Sequence, residues 1–405
     1  MALIVGMPLC LITMSNTVIL SGARTPIGKL SGALASLKGT ELGAIAIAAA
    51  LQRAGIAPSQ VDYVFMGQVL LAGEGQATAR QAAIGAGIPL SVPATTVNKV
   101  CVSGINAVYL AHQMISSGDA EVVVAGGMES MSQAPYLLTK AREGYRFGHG
   151  ELEDSMMTDG LLCAIENGSM GAGTEKYAAI RGLDRPSQDA FAALSHQRAA
   201  AAAVSGFFDA EIVPVEVPQR RGNPVMVTAD EGIRPDVTVD ALEKLRPAFS
   251  ESGNITAGNA SQISDGASAL VITSSEIAAE LGVEPLGTYL GYGQVAGPDP
   301  SLLSQPAQAI EKALGSAGME LQEIDLFEIN EAFAAVVLAS MEDLGISTDV
   351  VNVNGGAIAL GHPVGASGNR VVLTLLHELR RVGGGVGAAS LCGGGGQGDA
   401  LLLKV

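Results

Sequence analysis

Residues 51–67 read LQRAGIAPSQVDYVFMG, and residues 314–330 read LGSAGMELQEIDLFEIN. Leu51, Ala54, Gly55 and Asp62 of the first stretch match Leu314, Ala317, Gly318 and Asp325 of the second, and Val61 pairs with Ile324. Both stretches have the form of a helix end, a turn and an apolar strand. Further on, Ser103-Gly104-x-Asn106 resembles Ser367-Gly368-Asn369, at nearly the same separation. Each copy then runs through an amphipathic helix to a strand ending in glycines, Ala125-Gly126-Gly127 in one and Leu391-Cys392-Gly393-Gly394 in the other. Generic likeness between helix–loop–strand units could explain either block alone. Two blocks in nearly constant register point to an internal duplication. The expected fold is α/β, with two homologous halves packed as a pseudo-dimer.

Outward from the repeat, strand-like runs at 17–20, 61–66 and 121–125 alternate with helical patterns at 41–54, 76–87, 102–117 and 365–382. Residues 129–252 carry most of the proline and charge punctuation, and the chain returns at 263–273 in a plausible closing strand. The expected division is a first half at 14–128 with 253–282, an inserted loop domain at 129–252 and a second half at 283–405. Residues 1–13, MALIVGMPLCLIT, are apolar, lack a basic leader and are too short to span a bilayer. They are expected to form an extension ahead of a start at Met14.

Hydrophobic residues make up 48% of the 405, charged ones 16% and aromatic ones 4%, with no Trp. That excludes a disordered chain and leaves a core of Ala, Val, Ile and Leu, with 52 glycines permitting close backbone packing. A net charge of −17 argues against nucleic acid and anionic membranes as partners. An acidic protein that takes an anionic ligand must gather its cations locally. Arg220, Arg221, Arg234, Lys244 and Arg246 cluster in the 129–252 segment, as a solvated face or as a docking surface for a phosphorylated nucleotide. Cys10, Cys101, Cys163 and Cys392 form no C-x-x-C pair, so a metal site is not expected. Reduced thiols suit a cytoplasmic protein.

Four local sequences carry chemistry. In VNKVCVSG, Cys101 stands where a loop meets a helix start. Unpaired N–H groups and positive potential there are expected to lower its thiol pKa and make it a nucleophile toward a thioester carbonyl. In NVNGGAIALGHP, His362 is bracketed by glycines in the loop before the helix that the repeat equates with the Cys101 helix. Two-fold pseudosymmetry would bring it toward Cys101, where an imidazole can take the thiol proton. Four glycines after Cys392 can form a nest of N–H groups around an oxyanion. Asn330 in NEAF reads as a helix N-cap, or as a donor to a substrate carbonyl or a bound water.

Together these blocks resemble the thiolase family. GARTPIG at 22–28, AGGMESMS at 125–132, LRPAF at 245–249, TAGNAS at 256–261, NEAFA at 330–334, NGGAIALGHPVGASG at 354–368 and the CGGGGQG block stand in the family's order and cover nearly the whole chain from about 17 onward. The resemblance implies a five-layered αβαβα fold with mixed sheets and reversible Claisen condensation of acetyl-CoA, or thiolysis of 3-ketoacyl-CoA. It implies Cys101 as the acyl-thioester nucleophile, His362 as proton acceptor and oxyanion donor, and Cys392 as the acid/base at the α-carbon. Asn330, through a water, completes an enolate site, and the N–H groups of Cys101 and Gly394 hold the tetrahedral oxyanion. Arg234, Ser261, Ala257, Leu161, Met170, Phe249 and Phe333 match positions that bind CoA or line the acyl pocket. No cofactor is implied beyond CoA as substrate and product, and a homotetramer is the family expectation. Three departures bear on acyl-chain length: Ser169 replaces a histidine of short-chain relatives, Gly393 an apolar residue, and Leu302 loosely a methionine. A β-ketoacyl synthase on the same fold would lack the basic second cysteine and the NEAF asparagine. A catalytically dead acyl-CoA or lipid binder would be expected to have lost Cys101, His362 or Cys392.

Overall fold

Apolar strands buried on both faces build one large mixed sheet. The computed structural model describes residues 16–405; the expected 1–13 extension and Cys10 lie outside the described residues. The strands are β1 (Thr17–Arg24), β2 (Tyr63–Gly67), β3 (Ala94–Val97), β4 (Val122–Ser130), β5 (Ser264–Ser274), β6 (Gly287–Ala296), β7 (Leu326–Ile329), β8 (Val386–Gly393) and β9 (Gln397–Lys404). They lie in the order β7-β8-β9-β6-β1-β5-β4-β2-β3, with Gly28–Lys29 paired to β5 off that path. β2 is parallel to β3 and β4, and β7 is parallel to β8; the other pairs are antiparallel. β1 and β6 meet only at Val18↔Thr288 and Ile19↔Gly287. That short seam divides the sheet into two half-sheets with matching strand orders. Beside β7, a parallel bridge from Phe327 to Val351 stands where β3 stands beside β2.

The helices that bear on the site are α1 (Gly39–Ala54), α2 (Thr78–Gly85), α3 (Ser103–Ser116), α4 (Met170–Arg181), α5 (Arg185–Val204), α6 (Gln305–Ala317), α7 (Ala334–Leu344) and α8 (Ser367–Val382). α1 is Ala-rich and starts in a box where Glu41 accepts the Lys38 N–H at 2.8 Å. It ends at Gly55 with φ 69°, and α6 ends at the matching Gly318 with φ 67°, a left-handed cap that suits glycine. Asp62 accepts the Val122 N–H at 2.9 Å, and its counterpart Asp325 accepts the Val386 N–H at 2.8 Å. The repeated aspartate therefore anchors the start of the equivalent strand in each half.

Val122 and Val124 face a core with Leu42, Ala46 and Ile47 of α1. Val123 and Ala125 face the opposite core, with Ile105 and Val108 of α3 and Val371 and Leu375 of α8. A third core joins α6 and α7 to Phe327, Ile329, Ala388 and Leu402. Where α3 crosses α8, a Cβ at Gly104 would strike the Asn369 backbone, and one at Gly368 would strike the Ile105 backbone. These reciprocal contacts place the local pseudo-two-fold between the two glycines, and the small residues let both helix starts come close.

The segment between β4 and β5 contains α4 and α5. Buried Arg24 of β1 pairs with Glu211 at 2.6 Å and Asp230 at 2.7 Å from that segment. Breaking such a pair on one side leaves an unmatched buried charge. Among the described residues, no helix is long and apolar enough to cross a membrane.

Candidate active site

The loop before α3 holds Cys101 through local constraints. Val100 has φ 52°, an uncommon conformation for a β-branched residue. Ser103 holds it there: its Oγ accepts the Lys99 N–H at 2.8 Å and donates to the Val100 carbonyl at 2.6 Å. Lys99 Nζ, in turn, bonds buried Asp399 of β9 at 2.7 Å. The Cys101 loop is thus pinned to the second half of the molecule.

Cys101 packs against the cluster of Val69, Leu70, Met131 and Val364. The backbone N–H groups of Gly394 and of Cys101 itself favour the thiolate, but burial outweighs them and pushes the thiol up to about 11. This corrects the expectation of a lowered thiol pKa. α3 begins only at Ser103, and desolvation costs the thiolate more than the helix end returns. Cys101 is therefore a thiol at rest and needs a base. Cys392 is fully buried beside Phe333, Ala335 and Leu302. Burial and then the nearby Cys101 charge also push its thiol up. The residues after it form the turn of the β8–β9 hairpin, closed by the pairs Cys392↔Gly398 and Gly393↔Gln397.

His362 follows the short helix Ala357–Leu360. Its Nδ1 lies 2.6 Å from Ser367 Oγ, and that hydroxyl donates to the Pro363 carbonyl at 3.1 Å. One hydroxyl carries one proton, so Ser367 must accept from Nδ1–H. Nε2 is then the free lone pair, and it is buried with no protein hydrogen-bond partner. Burial, followed by the Arg370 charge, depresses the imidazole to about 3, so His362 is neutral at rest. A neutral imidazole with Nε2 bare can accept a proton.

Asn330 is not the N-cap expected by default, because α7 starts later, at Ala334, with Phe333 in the cap position. Its side chain is fully buried, and neither the amide oxygen nor the amide nitrogen has a protein partner. A buried amide left so is costly unless it serves a ligand or a water.

His362 opens into an apolar cavity of about 520 Å³ that Leu161, Met170, Phe249, Ala257, Ser261 and Phe333 also line. Met131 and Val364 belong both to this lining and to the cluster around Cys101, which joins Cys101 to the cavity. Phe249 and Phe333 meet edge to face at 6.2 Å. Gly171 leaves the space that the Phe249 ring occupies. Ser169, in place of the expected histidine, caps α4 by accepting the Ala172 N–H at 3.2 Å. Arg234 stands apart: it is exposed, does not line the cavity, and its N–H donates to His196 Nδ1 at 3.2 Å. With Arg220, Arg221, Lys244 and Arg246 it is exposed and in no ion pair among the described residues. The sequence reading did not single out Ser367, the partner of His362 Nδ1; a serine five residues after the histidine is the signal that could have found it.

With this geometry in place, two family comparisons define the class of protein. "Thiolase, N-terminal domain" matches residues 17–276, and "Thiolase, C-terminal domain" matches 283–405. The chain belongs to the thiolase family. It is 54% identical to the probable acetyl-CoA acetyltransferase of Mycolicibacterium smegmatis over 95% of this chain and 100% of that one. It is 51% identical to the acetyl-CoA acetyltransferase of Cupriavidus necator over 96% and 100%. A probable acetyl-CoA acyltransferase of Staphylococcus epidermidis is 48% identical over 96% and 99%.

Proposed function

We propose that this thiolase is an acetyl-CoA C-acetyltransferase, joining two acetyl-CoA to acetoacetyl-CoA and CoA and running the reverse thiolysis. The observations that carry the reading are two neighbouring thiols, Cys101 partly buried and Cys392 buried, together with a buried imidazole nitrogen and a buried amide that have no protein partner. The names of the relatives support the substrate. Cys101 attacks the thioester carbonyl as its proton passes to His362 Nε2, and CoA leaves with that proton. The N–H groups of Cys101 and Gly394 stabilise the tetrahedral oxyanion. His362 Nε2 then takes the Cys392 proton; the Cys392 thiolate takes the α-proton of the second acetyl-CoA, and the enolate oxygen is held by the protonated Nε2 and, through a water, by Asn330. The resulting carbanion attacks the acetyl-Cys101 carbonyl, the C–S bond breaks, and the Cys101 sulfur takes the His362 proton, which restores the thiol and the neutral imidazole. Such a two-stage path is ping-pong.

Ser367→Ala should lower kcat about tenfold and leave the KM for CoA nearly unchanged, since only the tautomer and aim of the base are lost. Steady-state thiolysis kinetics measure both.

The five exposed cations of the inserted segment support CoA docking through its phosphates, with the pantetheine arm along Ser261 and Ala257. Arg234 serves at the adenine end, outside the cavity. The three cores support a five-layer αβαβα stack, divided as 14–128 with 253–282, 129–252 and 283–405. Exposed Tyr136, Leu138, Phe147 and Leu152 on the inserted segment support a homotetramer.

A second reading is a 3-ketoacyl-CoA thiolase of broader chain length, favoured by Gly393 and Ser169 where short-chain relatives carry larger groups. Thiolysis of acetoacetyl-CoA against longer 3-ketoacyl-CoAs separates the two. The acetyl reading expects kcat/KM to fall about tenfold or more over the first two added methylenes. Comparable values across the series move the assignment to the broader enzyme.

A further inference from the structure

The residues that wall Cys101 hang on one carboxylate. Glu129 lies on β4 and is fully buried. Its Oε2 accepts the N–H of Val69 at 3.0 Å and of Gly365 at 3.0 Å, while Oε1 accepts the N–H of Leu70 at 3.1 Å. Val69, Leu70 and Val364, the residue before Gly365, are three of the four core members of the cluster against which Cys101 packs. The Val69–Leu70 loop belongs to the first half of the molecule. Gly365 belongs to the His362 loop of the second. Gly365 itself has no room for a side chain, because a Cβ there would meet the Gln68 Cα, the Met128 carbonyl and Glu129 Oε2. Its N–H is thereby presented to the carboxylate at short range.

We propose that Glu129 is a positioning residue for catalysis, tying the loop that carries His362 to the wall that cradles Cys101 and placing a negative charge near the nucleophile. This rests on the assignment of Cys101 as nucleophile and His362 as its base. A carboxylate suits the task because it offers acceptors alone, and all three groups that it meets are donors. An amide cannot replace it: one end would become a donor facing an N–H. The negative charge near Cys101 opposes a thiolate and helps hold the resting thiol until a thioester arrives. Three N–H donors favour ionised Glu129, while burial opposes it and sets the group at about 7. The other titratable groups around this patch are Glu74 near Glu129, Cys392 near Cys101 and His362 on the opposite loop, with Arg370 beyond it.

Glu129→Gln is the test, in the full-length enzyme. Two changes are expected together. The kcat of thiolysis falls about tenfold or more, with the KM for CoA within about twofold, because the base and nucleophile lose their relative aim while the CoA surface is untouched. The pH midpoint of Cys101 alkylation by iodoacetamide moves down by about half a unit or more, because a negative charge has been removed. A fall in melting temperature with the alkylation midpoint unmoved, or a moved midpoint with kcat unchanged, overturns the proposal. If Glu129→Gln does not fold, Glu129→Asp replaces it. That variant keeps the charge and shortens the reach, so kcat should fall while the midpoint stays within about 0.2 unit of the parent; parental kcat there overturns the proposal. Failure of the underlying assignment would look different, as turnover that survives loss of Cys101 itself.

Discussion

Cys101→Ala is expected to lower kcat for both condensation and thiolysis by at least about 10⁴-fold, the scale on which removal of a covalent nucleophile acts. Alanine removes the atom that carries the acyl group, and no other group can take over. Cys392 is the nearest thiol, but burial pushes it up, and the proposed mechanism gives it proton transfer at the α-carbon instead. The loss should extend to the partial reaction, exchange of label between acetyl-CoA and free CoA, which needs the acyl-enzyme and nothing at the α-carbon. The fold should survive, since Cys101 is only partly buried and the loop is held by Ser103 and by the Lys99–Asp399 pair. Circular dichroism and a thermal melt verify that point. Turnover within tenfold of the parent would refute the assignment of the nucleophile.

Cys392→Ser should lower condensation and thiolysis by about 10²–10⁴-fold, the range of a lost general acid–base group. Acetyl-CoA/CoA exchange, however, should stay within about fivefold of the parent, because acyl transfer to Cys101 requires only His362 and the oxyanion donors. A hydroxyl is a far weaker acid than a thiol, so serine keeps the shape and loses the proton chemistry. This split distinguishes the two cysteines by function: one variant loses every reaction, the other only those that make or break a carbon–carbon bond. Equal loss of exchange and condensation in Cys392→Ser would show that the two thiols do not divide the work in this way.

Much of this was legible in the linear chain. Gly55 and Gly318 end equivalent helices, and Asp62 and Asp325 cap equivalent strands, so the repeat reported a true duplication of local structure. Such features depend on neighbours within a few residues, and pattern reading reaches them. Helix ends were read less well. The helix expected at 76–87 is Thr78–Gly85, and Asn330 precedes its helix by four residues. End positions depend on packing and hydrogen bonds from distant segments, such as the Ala334 N–H donated to the Asn259 carbonyl at 2.9 Å.

Read as a string of residues, the chain already carries the family, the two-fold repeat and the residue types of the candidate site: two cysteines, a histidine and an asparagine in blocks of fixed order. Those are properties of covalent order, and any reader of the chain can recover them. Their chemical states depend on the packed molecule. Burial makes Cys101 a resting thiol two residues ahead of its helix, Ser367 leaves the free lone pair of His362 on Nε2, and both ends of the Asn330 amide are buried without a protein partner. Packing also hangs both loops on Glu129. Protonation and tautomer follow from desolvation, charge and hydrogen-bond direction at a point in space, and the groups that meet at that point come from residues as far apart as 69, 129 and 365.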